Sequence, residues 1–313
     1  MEETRSSHHR GRRVGTTMAL VLVAPVAIGL LGELYWGFDL VANFRPHAGV
    51  VLLMIAVIWW RFDPESASIV AFAGVIGVTA VAPAFAGSDP APQGPVVDVM
   101  TFNVGVSNPR RPDVADFIAD IEPDLVYLFE SSFEWEAAME RADLPLVLVR
   151  AVPTGRVAGV SVFASPDLDP AAIEVDVGGE SAAISIVVGD ERVDVIGVHP
   201  PSPTSAVRAD RRDRMLTATG DWVAARPRPV IVVGDFNATP WSAAHRSLRW
   251  RGMLVDSLRG AGLQASWPDG WGALAIPIDH VLHTAQLAST DRRTGPSFGS
   301  AHRPVLVSIG FRR

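Results

Sequence analysis

The sequence predicts an α/β domain of mixed or antiparallel sheets covered by helices, preceded by an apolar N-terminal region. Three observations carry this expectation. From Val96 to the C-terminus, short apolar runs alternate with amphipathic stretches. Several strand-like runs (158–164, about 172–177, 182–188 and 192–199) follow one another with no helix between them, which argues against a purely parallel, doubly wound sheet. The chain has 313 residues and is 48% hydrophobic, with the apolar excess before residue 90, so a sizeable domain and a separate extension both fit.

Three apolar segments fill the extension: Thr16 to Leu31 and on towards Trp36, interrupted by Glu33; Ala48 to Trp60; and Ala67 to Gly87. The first and third approach the ~20 residues that span a bilayer as a helix. The second is short unless residues 44–47 join it, which makes it tilted, interfacial or re-entrant. Trp36, Trp59 and Trp60 stand at segment ends, where interfacial tryptophans belong. About three transmembrane helices are therefore expected over residues 1–87. Arg5, Arg10, Arg12 and Arg13 precede the first segment, Arg61 lies between the second and third, and Arg45 alone marks the other loop. The positive-inside rule then puts the N-terminus, with His8 and His9, and the 61–66 loop in the cytoplasm. A multi-pass cell-membrane protein with an extracytoplasmic C-terminal domain is the expectation. A cleaved export signal competes, since Arg12-Arg13 precedes an apolar stretch and Ala84-Phe85-Ala86 resembles a cleavage site; three consecutive apolar segments favour anchoring. Residues 88–95, Ser-Asp-Pro-Ala-Pro-Gln-Gly-Pro, read as a semi-rigid linker to a domain over 96–313.

Within that domain strands are expected at 96–104, 125–130, 146–151, 158–164, 182–188, 192–199, 230–234, 278–283 and 304–309. Helices are expected at 112–121, 133–141, 204–225 and 241–251. The third of these spaces Val207, Leu216, Trp222 and Val223 among arginines and aspartates, as an amphipathic surface helix does. Cysteine is absent, which excludes disulfides, thiolate metal sites and a cysteine nucleophile. A formal net charge of −7 argues against a dedicated nucleic-acid binder. All basic side chains other than histidine are arginine.

Polar residues sit where the apolar strands end. Pro229-Val230-Ile231-Val232-Val233 runs into Gly234-Asp235-Phe236-Asn237-Ala238-Thr239, so a carboxylate and an amide reach a strand's C-terminal edge, where i and i+2 share a face. Asn103, Glu130 and His199 end three further runs, Asp279 lies in Ile278-Asp279-His280-Val281, and His302 precedes the last strand. Singly, each has a plain reading as a turn former, a cap or a loop histidine. Together they form a set of hard oxygen donors and imidazoles suited to Mg²⁺ or Mn²⁺ and a phosphate.

These strings resemble the endonuclease/exonuclease/phosphatase superfamily. The matching segments are Thr101-Phe102-Asn103, Pro123-Asp124-Leu125 through Glu130, Val198-His199-Pro200, Gly234-Asp235-Phe236-Asn237, Ile278-Asp279-His280-Val281 and Ser300-Ala301-His302-Arg303-Pro304. They occur in the family's order across residues 96–313, and Ala238-Thr239-Pro240-Trp241-Ser242 with Trp267-Pro268 looks like its bacterial membrane-bound, VanJ-type branch. The resemblance implies a four-layered α/β sandwich of two mixed sheets flanked by helices. It implies that Glu130, helped by Asn103, holds Mg²⁺ (or Mn²⁺), and that Asp235 orients or deprotonates the attacking water. Asn237 would stabilise the charged phosphorus centre, His199 and Asn103 would contact the phosphate, and His302, steadied by Asp279, would bind the scissile group and assist proton transfer. One departure weakens metal binding: the usual aspartate before the last histidine is Ala301.

The expected function is a membrane-anchored, metal-dependent phosphoesterase that cleaves a phosphodiester or pyrophosphate bond outside the cytoplasm. A lipid-linked envelope substrate at the bilayer is favoured, with no obligate protein partner. An extracellular nuclease is the alternative; its best basic cluster, Arg208, Arg211, Arg212 and Arg214, alternates with Asp210 and Asp213 and reads as a solvated helix face. A catalytically silent domain displayed on the membrane is a third reading, supported by Ala301. His280 and His283 are expected to be structural or rim residues.

Overall fold

The computed structural model describes residues 2–154 and 158–312. The chain divides into two compact units, Met1–Ala82 with Trp241–Ala243, and Pro83–Pro240 with Ala244–Arg313. The first contains α1 (Glu2–Leu30), α2 (Trp36–Ala42), α3 (Arg45–Trp59) and α4 (Pro64–Val78), which continues through a 3-10 turn into α5 (Ala82–Phe85). Asp63 caps α4 by accepting from the Ser66 N–H at 3.2 Å. Ala19, Val26, Leu52, Ala56 and Val70 form a small core, while Val57 and Phe72 point outward. Close approach of α3 to α4 needs Gly49, because a Cβ there would lie 2.7 Å from the Val78 nitrogen.

Among the described residues, one helical stretch, Pro64–Phe85 with 22 residues, is long and apolar enough to cross a membrane. The second apolar segment is a pair, α2 and α3, bent by 60°, and the first contributes the shorter apolar stretch Gly15–Leu30. The side chains of His8, His9 and the arginines at 5, 10, 12 and 13 lie outside the described residues.

The second unit is built on two six-stranded sheets. Its strands are β1 (Val96–Asn103), β2 (Leu125–Ser131), β3 (Val147–Thr154), β4 (Ala158–Ala164), β5 (Ala171–Ile173), β6 (Glu180–Val188), β7 (Glu191–His199), β8 (Val230–Asp235), β9 (Leu254–Asp256), β10 (Asp279–Thr284), β11 (Leu287–Thr294) and β12 (Val305–Phe311). One sheet has the order β11-β12-β1-β2-β4-β3 and the other β5-β6-β7-β8-β10-β9. β1 with β2 and β7 with β8 are parallel; the other pairs are antiparallel, which makes both sheets mixed. Helices α6 (Arg111–Ile121) and α7 (Phe133–Arg141) cover the first sheet, and α8 (Ala206–Ala224) and α9 (Ala243–Arg251) cover the second. The result is the four-layered sandwich that the resemblance implied.

Side-chain alternation explains the layers. On β1, Val97 and Val99 face the opposing sheet, whereas Met100 and Phe102 pack under α6 and α7. On β8, Ile231 and Val233 face the opposing sheet, and Val230 and Val232 pack under α8 and α9. Following the inward face to the strand ends leads to Asn103 on β1, His199 on β7, Asp235 on β8 and Asp279 on β10. The site residues are therefore the last inward positions, where the apolar interlayer gives way to polar groups.

Two expected features differ in detail. On α8 the buried face is Ala209, Arg212, Met215, Leu216, Thr219, Gly220 and Val223, and Val207 is exposed. The stretch read as a linker is tied to the domain: Asp89 accepts from Ser289 N–H at 3.1 Å and pairs with His283 Nε2 at 2.9 Å, and Gln93 N–H donates to the Phe311 carbonyl at 3.0 Å.

Candidate active site

Parity alone would point Glu130 away from the site, since Val126 and Leu128 on its strand face the helices. The backbone corrects this. Register slips between Phe129 and Ser131 against β4, and Glu130 adopts φ +52°, in the left-handed region. The bulge turns the carboxylate to the cleft, where Asn103 Nδ2 donates to Glu130 Oε1 at 3.0 Å and to Asp235 Oδ2 at 3.1 Å. The Asn103 Oδ1 accepts from the Gly105 N–H at 3.1 Å.

Asp235 is the hub. Its Oδ1 accepts from the Asn237 N–H at 2.9 Å, and its Oδ2 lies 3.5 Å from His199 Nε2 and 3.6 Å from His302 Nε2. Burial alone would raise this carboxyl, but the charges and hydrogen bonds of His302 and His199 hold it well below the usual carboxylate range. Opposite it, Asp279 is Asp235's register partner in the antiparallel β8–β10 pair. Asp279 Oδ2 meets His302 Nδ1 at 2.9 Å, and its N–H donates to Ser266 Oγ at 3.2 Å. Burial raises the Asp279 carboxyl. Against burial, which would lower it, the His302 imidazole is pushed up to about 9 by Asp279 and Asp235. Its backbone is fixed by Ser300 Oγ, which accepts from the His302 N–H at 3.1 Å and donates to the Asn103 carbonyl at 2.7 Å.

His199 pairs through Nδ1 with Glu180 Oε2 at 2.8 Å. Burial lowers its basicity, but Asp235 and Glu180 outweigh that and push it up to about 10. Asn237, at φ +50°, donates from Nδ2 to the Pro200 carbonyl at 3.1 Å, and its own carbonyl accepts from Arg212 Nη1 at 3.2 Å. Sequence reasoning missed Glu180 and misplaced Arg212, which is fully buried rather than solvated. Arg208, Arg211 and Arg214, also read as a solvated face, line a cleft of about 1050 Å³ together with Glu130, His199, Asp235, Asn237, Trp267 and His302. His280 and His283 are both fully buried, so neither is a rim residue. Ala301 is exposed, and its carbonyl accepts from the Asp269 N–H at 2.8 Å.

The donor set fits a divalent cation at Glu130. This carboxylate is more accessible than the buried Asp235 and Asp279 and carries an oxygen pair suited to a hard ion that keeps several waters. Asn103 presents its NH₂ group to both carboxylates, so in this arrangement it steers Glu130, and ligation through Oδ1 requires the amide to turn away from Gly105.

The profile of the Endonuclease/Exonuclease/phosphatase family matches residues 100–302, a span that begins just before Asn103 and closes on His302. The chain belongs to this family. Among similar solved structures is an endonuclease/exonuclease/phosphatase from Bacteroides vulgatus, 17% identical, with a TM-score of 0.56 over 69% of this chain and 99% of that one. D. rerio TDP2 complexed with a single-strand DNA product is 12% identical, with a TM-score of 0.57 over 69% and 99%. A mannosyl-6-phosphatase from Bacteroides thetaiotaomicron is 14% identical, with a TM-score of 0.53 over 69% and 100%. No curated protein matches the sequence. These likenesses establish the family fold over the second unit.

Proposed function

We propose that the chain is a membrane-anchored, divalent-metal-dependent phosphoesterase of the VanJ-type branch. In this reading it hydrolyses a phosphodiester or pyrophosphate bond of a lipid-linked envelope substrate on the extracytoplasmic side. The observation that carries it is the convergence of Asn103, Glu130, His199, Asp235 and the Asp279–His302 pair at one cleft mouth. Similar folds named as a phosphatase and as a protein bound to a DNA product support phosphoester chemistry. The outward apolar residues of the N-terminal helices and the 22-residue stretch Pro64–Phe85 support anchoring.

The residues divide the work as follows. Asp235 stays ionised and accepts a hydrogen bond from the attacking water, fixing its line of approach to phosphorus. An aspartate held so low is a weak base, so Mg²⁺ or Mn²⁺ bound at Glu130 would acidify that water and neutralise phosphate charge. His199 and His302 carry protons and donate them to non-bridging oxygens as negative charge develops. Asp279 fixes the His302 ring through Nδ1 and keeps it protonated, with Nε2–H directed to the cleft. The Asn237 N–H and carbonyl are both engaged, which fixes that loop beside the water.

A nuclease is the second reading, favoured by the three arginines on the cleft wall. The deciding assay measures phosphate release by the full-length protein in bilayers, with and without Mg²⁺, from polyprenyl pyrophosphate, phospholipid and plasmid DNA. Metal-dependent turnover of a lipid substrate that vanishes in Asp235→Ala supports the proposal. Preferred cleavage of DNA with steep salt dependence supports the nuclease. A folded, metal-loaded protein inert on all three would overturn both and leave a binding domain.

A further inference from the structure

We propose a second metal site, separate from the cleft, in which His245, Asp256 and His280 hold one Zn²⁺ or a cation of similar preference. The three side chains come from α9, the end of β9 and β10, and all are buried. One donor atom from each lies within 4.8 Å of the other two. His245 Nε2 is 3.4 Å and His280 Nδ1 is 4.0 Å from Asp256 Oδ2. Tetrahedral zinc with bonds of about 2.0–2.2 Å places neighbouring ligand atoms roughly 3.3–3.5 Å apart. One edge of the cluster already has that spacing, and the second needs a contraction of roughly half an ångström.

Two of the three donors are oriented from behind. His280 Nε2 lies 2.8 Å from the Ala238 carbonyl oxygen, which can only accept, so Nε2 carries the proton and Nδ1 presents a lone pair. That Nδ1 is buried with no hydrogen-bond partner among the described residues. Asp256 Oδ1 accepts from the Leu258 N–H at 2.9 Å, which leaves Oδ2 facing the two histidines. A buried lone pair without a donor is a rare and costly thing to leave in a core, and a cation satisfies it.

Arg292 supplies the opposing charge. Its buried guanidinium donates to Ser257 Oγ at 2.7 Å and to the Asp279 carbonyl at 3.1 Å. It offsets the Asp256 charge whatever the cation, so the choice of ion rests on the donors: two imidazole nitrogens and a single carboxylate suit an ion that accepts nitrogen better than a hard ion that prefers oxygen ligands. The ion would join α9, β9 and β10 behind the strand whose inward face carries Asp279. Its role is to brace the Asp279–His302 pair, with no part in the reaction.

The test uses the full-length protein in detergent, loaded with Co²⁺ or Zn²⁺ and then dialysed against excess Mg²⁺, which occupies hard oxygen ligands in the cleft. Mass spectrometry should find one Co²⁺ or Zn²⁺ retained per chain, with the visible d–d bands of four-coordinate Co²⁺. His245→Phe keeps a ring beside Phe236 and His280 and should lose the ion, the bands and any Zn²⁺-dependent rise in melting temperature. Asp256→Asn serves if that variant does not fold. Glu130→Gln and Asp235→Asn should both retain the ion, which separates this site from the cleft and from the Asp235–Asp279–His302 group whatever the outcome for activity. Folded wild type that retains no Co²⁺ or Zn²⁺, or a folded His245→Phe that retains as much, overturns the proposal.

Discussion

At the scale of single residues, the site depends on charges that are buried together and stabilise one another. His302 shows the sign of the effect. Burial should make it a weaker base, but Asp279 and Asp235 push it up to about 9, so it remains an imidazolium across neutral pH. If the imidazolium is the donor, kcat/KM falls as pH rises through about 9. Asp279→Asn removes the closer partner and leaves burial in place, so that alkaline limb should move down by roughly a unit or more. A pH–rate profile of the variant checks this, and an unmoved limb would take His302 out of the proton inventory. Asp235→Asn keeps the shape of the hub but removes the charge that orients the water. Turnover should fall by roughly 10²–10⁴-fold, and the melting temperature should fall as well, because the buried imidazoliums of His199 and His302 lose their partner. Single-turnover kinetics alongside a thermal melt separate lost chemistry from lost fold.

At the scale of elements, the strands were legible wherever both faces are covered. β1, β2, β7 and β8 read as apolar runs because they are buried between helices and the opposing sheet. β11 did not. It is an edge strand whose sequence, Leu-Ala-Ser-Thr-Asp-Arg-Arg-Thr, is broken by a register slip between Thr290 and Arg293 and by Asp291 at φ +53°. β9 has only three residues, Leu254–Asp256, too few for any periodicity. Among site residues, the carboxylates and histidines at strand ends could be listed from the sequence, but Glu180 could not be recognised by type. A signal did exist: the Gly189-Asp190 turn fixes the β6–β7 register, in which Val188 faces Glu191 and Glu180 therefore faces His199. The bulge that turns Glu130 inward left no trace in composition, since a glutamate at positive φ is sustained by tertiary packing. The junction of β7 and β8 offers a sharp test of that packing. Gly234 sits at φ +142°, and a Cβ there would come 2.0 Å from the Val198 carbonyl oxygen. Gly234→Ala should destabilise the domain by about 3 kcal/mol or more, read from denaturant unfolding, with both His199 and Asp235 displaced.

At the scale of the whole chain, two features concern the segment that leads into the second unit and the side of the membrane proposed for it. Asp89, ahead of β1, is bound by His283 and Ser289. Burial would raise its carboxyl, but those partners lower it from 3.8 to about 2. A depressed carboxyl stabilises the folded state above its unfolded pKa, and that contribution is lost as pH falls through the folded value. Asp89→Asn should therefore cost about 2 kcal/mol at neutral pH. The deficit should shrink below about pH 4 and vanish near pH 2, as paired melts across that range would show. The proposed topology makes a separate demand. In it, the arginines near the first apolar segment and at Arg61 would put the 61–66 loop inside the cell and the second unit outside. Because the chain has no cysteine, one introduced thiol reports its side of the membrane without background. Phe62 and Leu274 are both well exposed, at 79% and 55%, and suit the purpose. A membrane-impermeant maleimide should label Leu274→Cys in intact cells and Phe62→Cys only after permeabilisation. The reverse pattern would place the site in the cytoplasm and exclude an envelope substrate on the outer face. Recovery of both variants in the soluble fraction would remove the anchor altogether, and with it the argument that tethering selects a lipid.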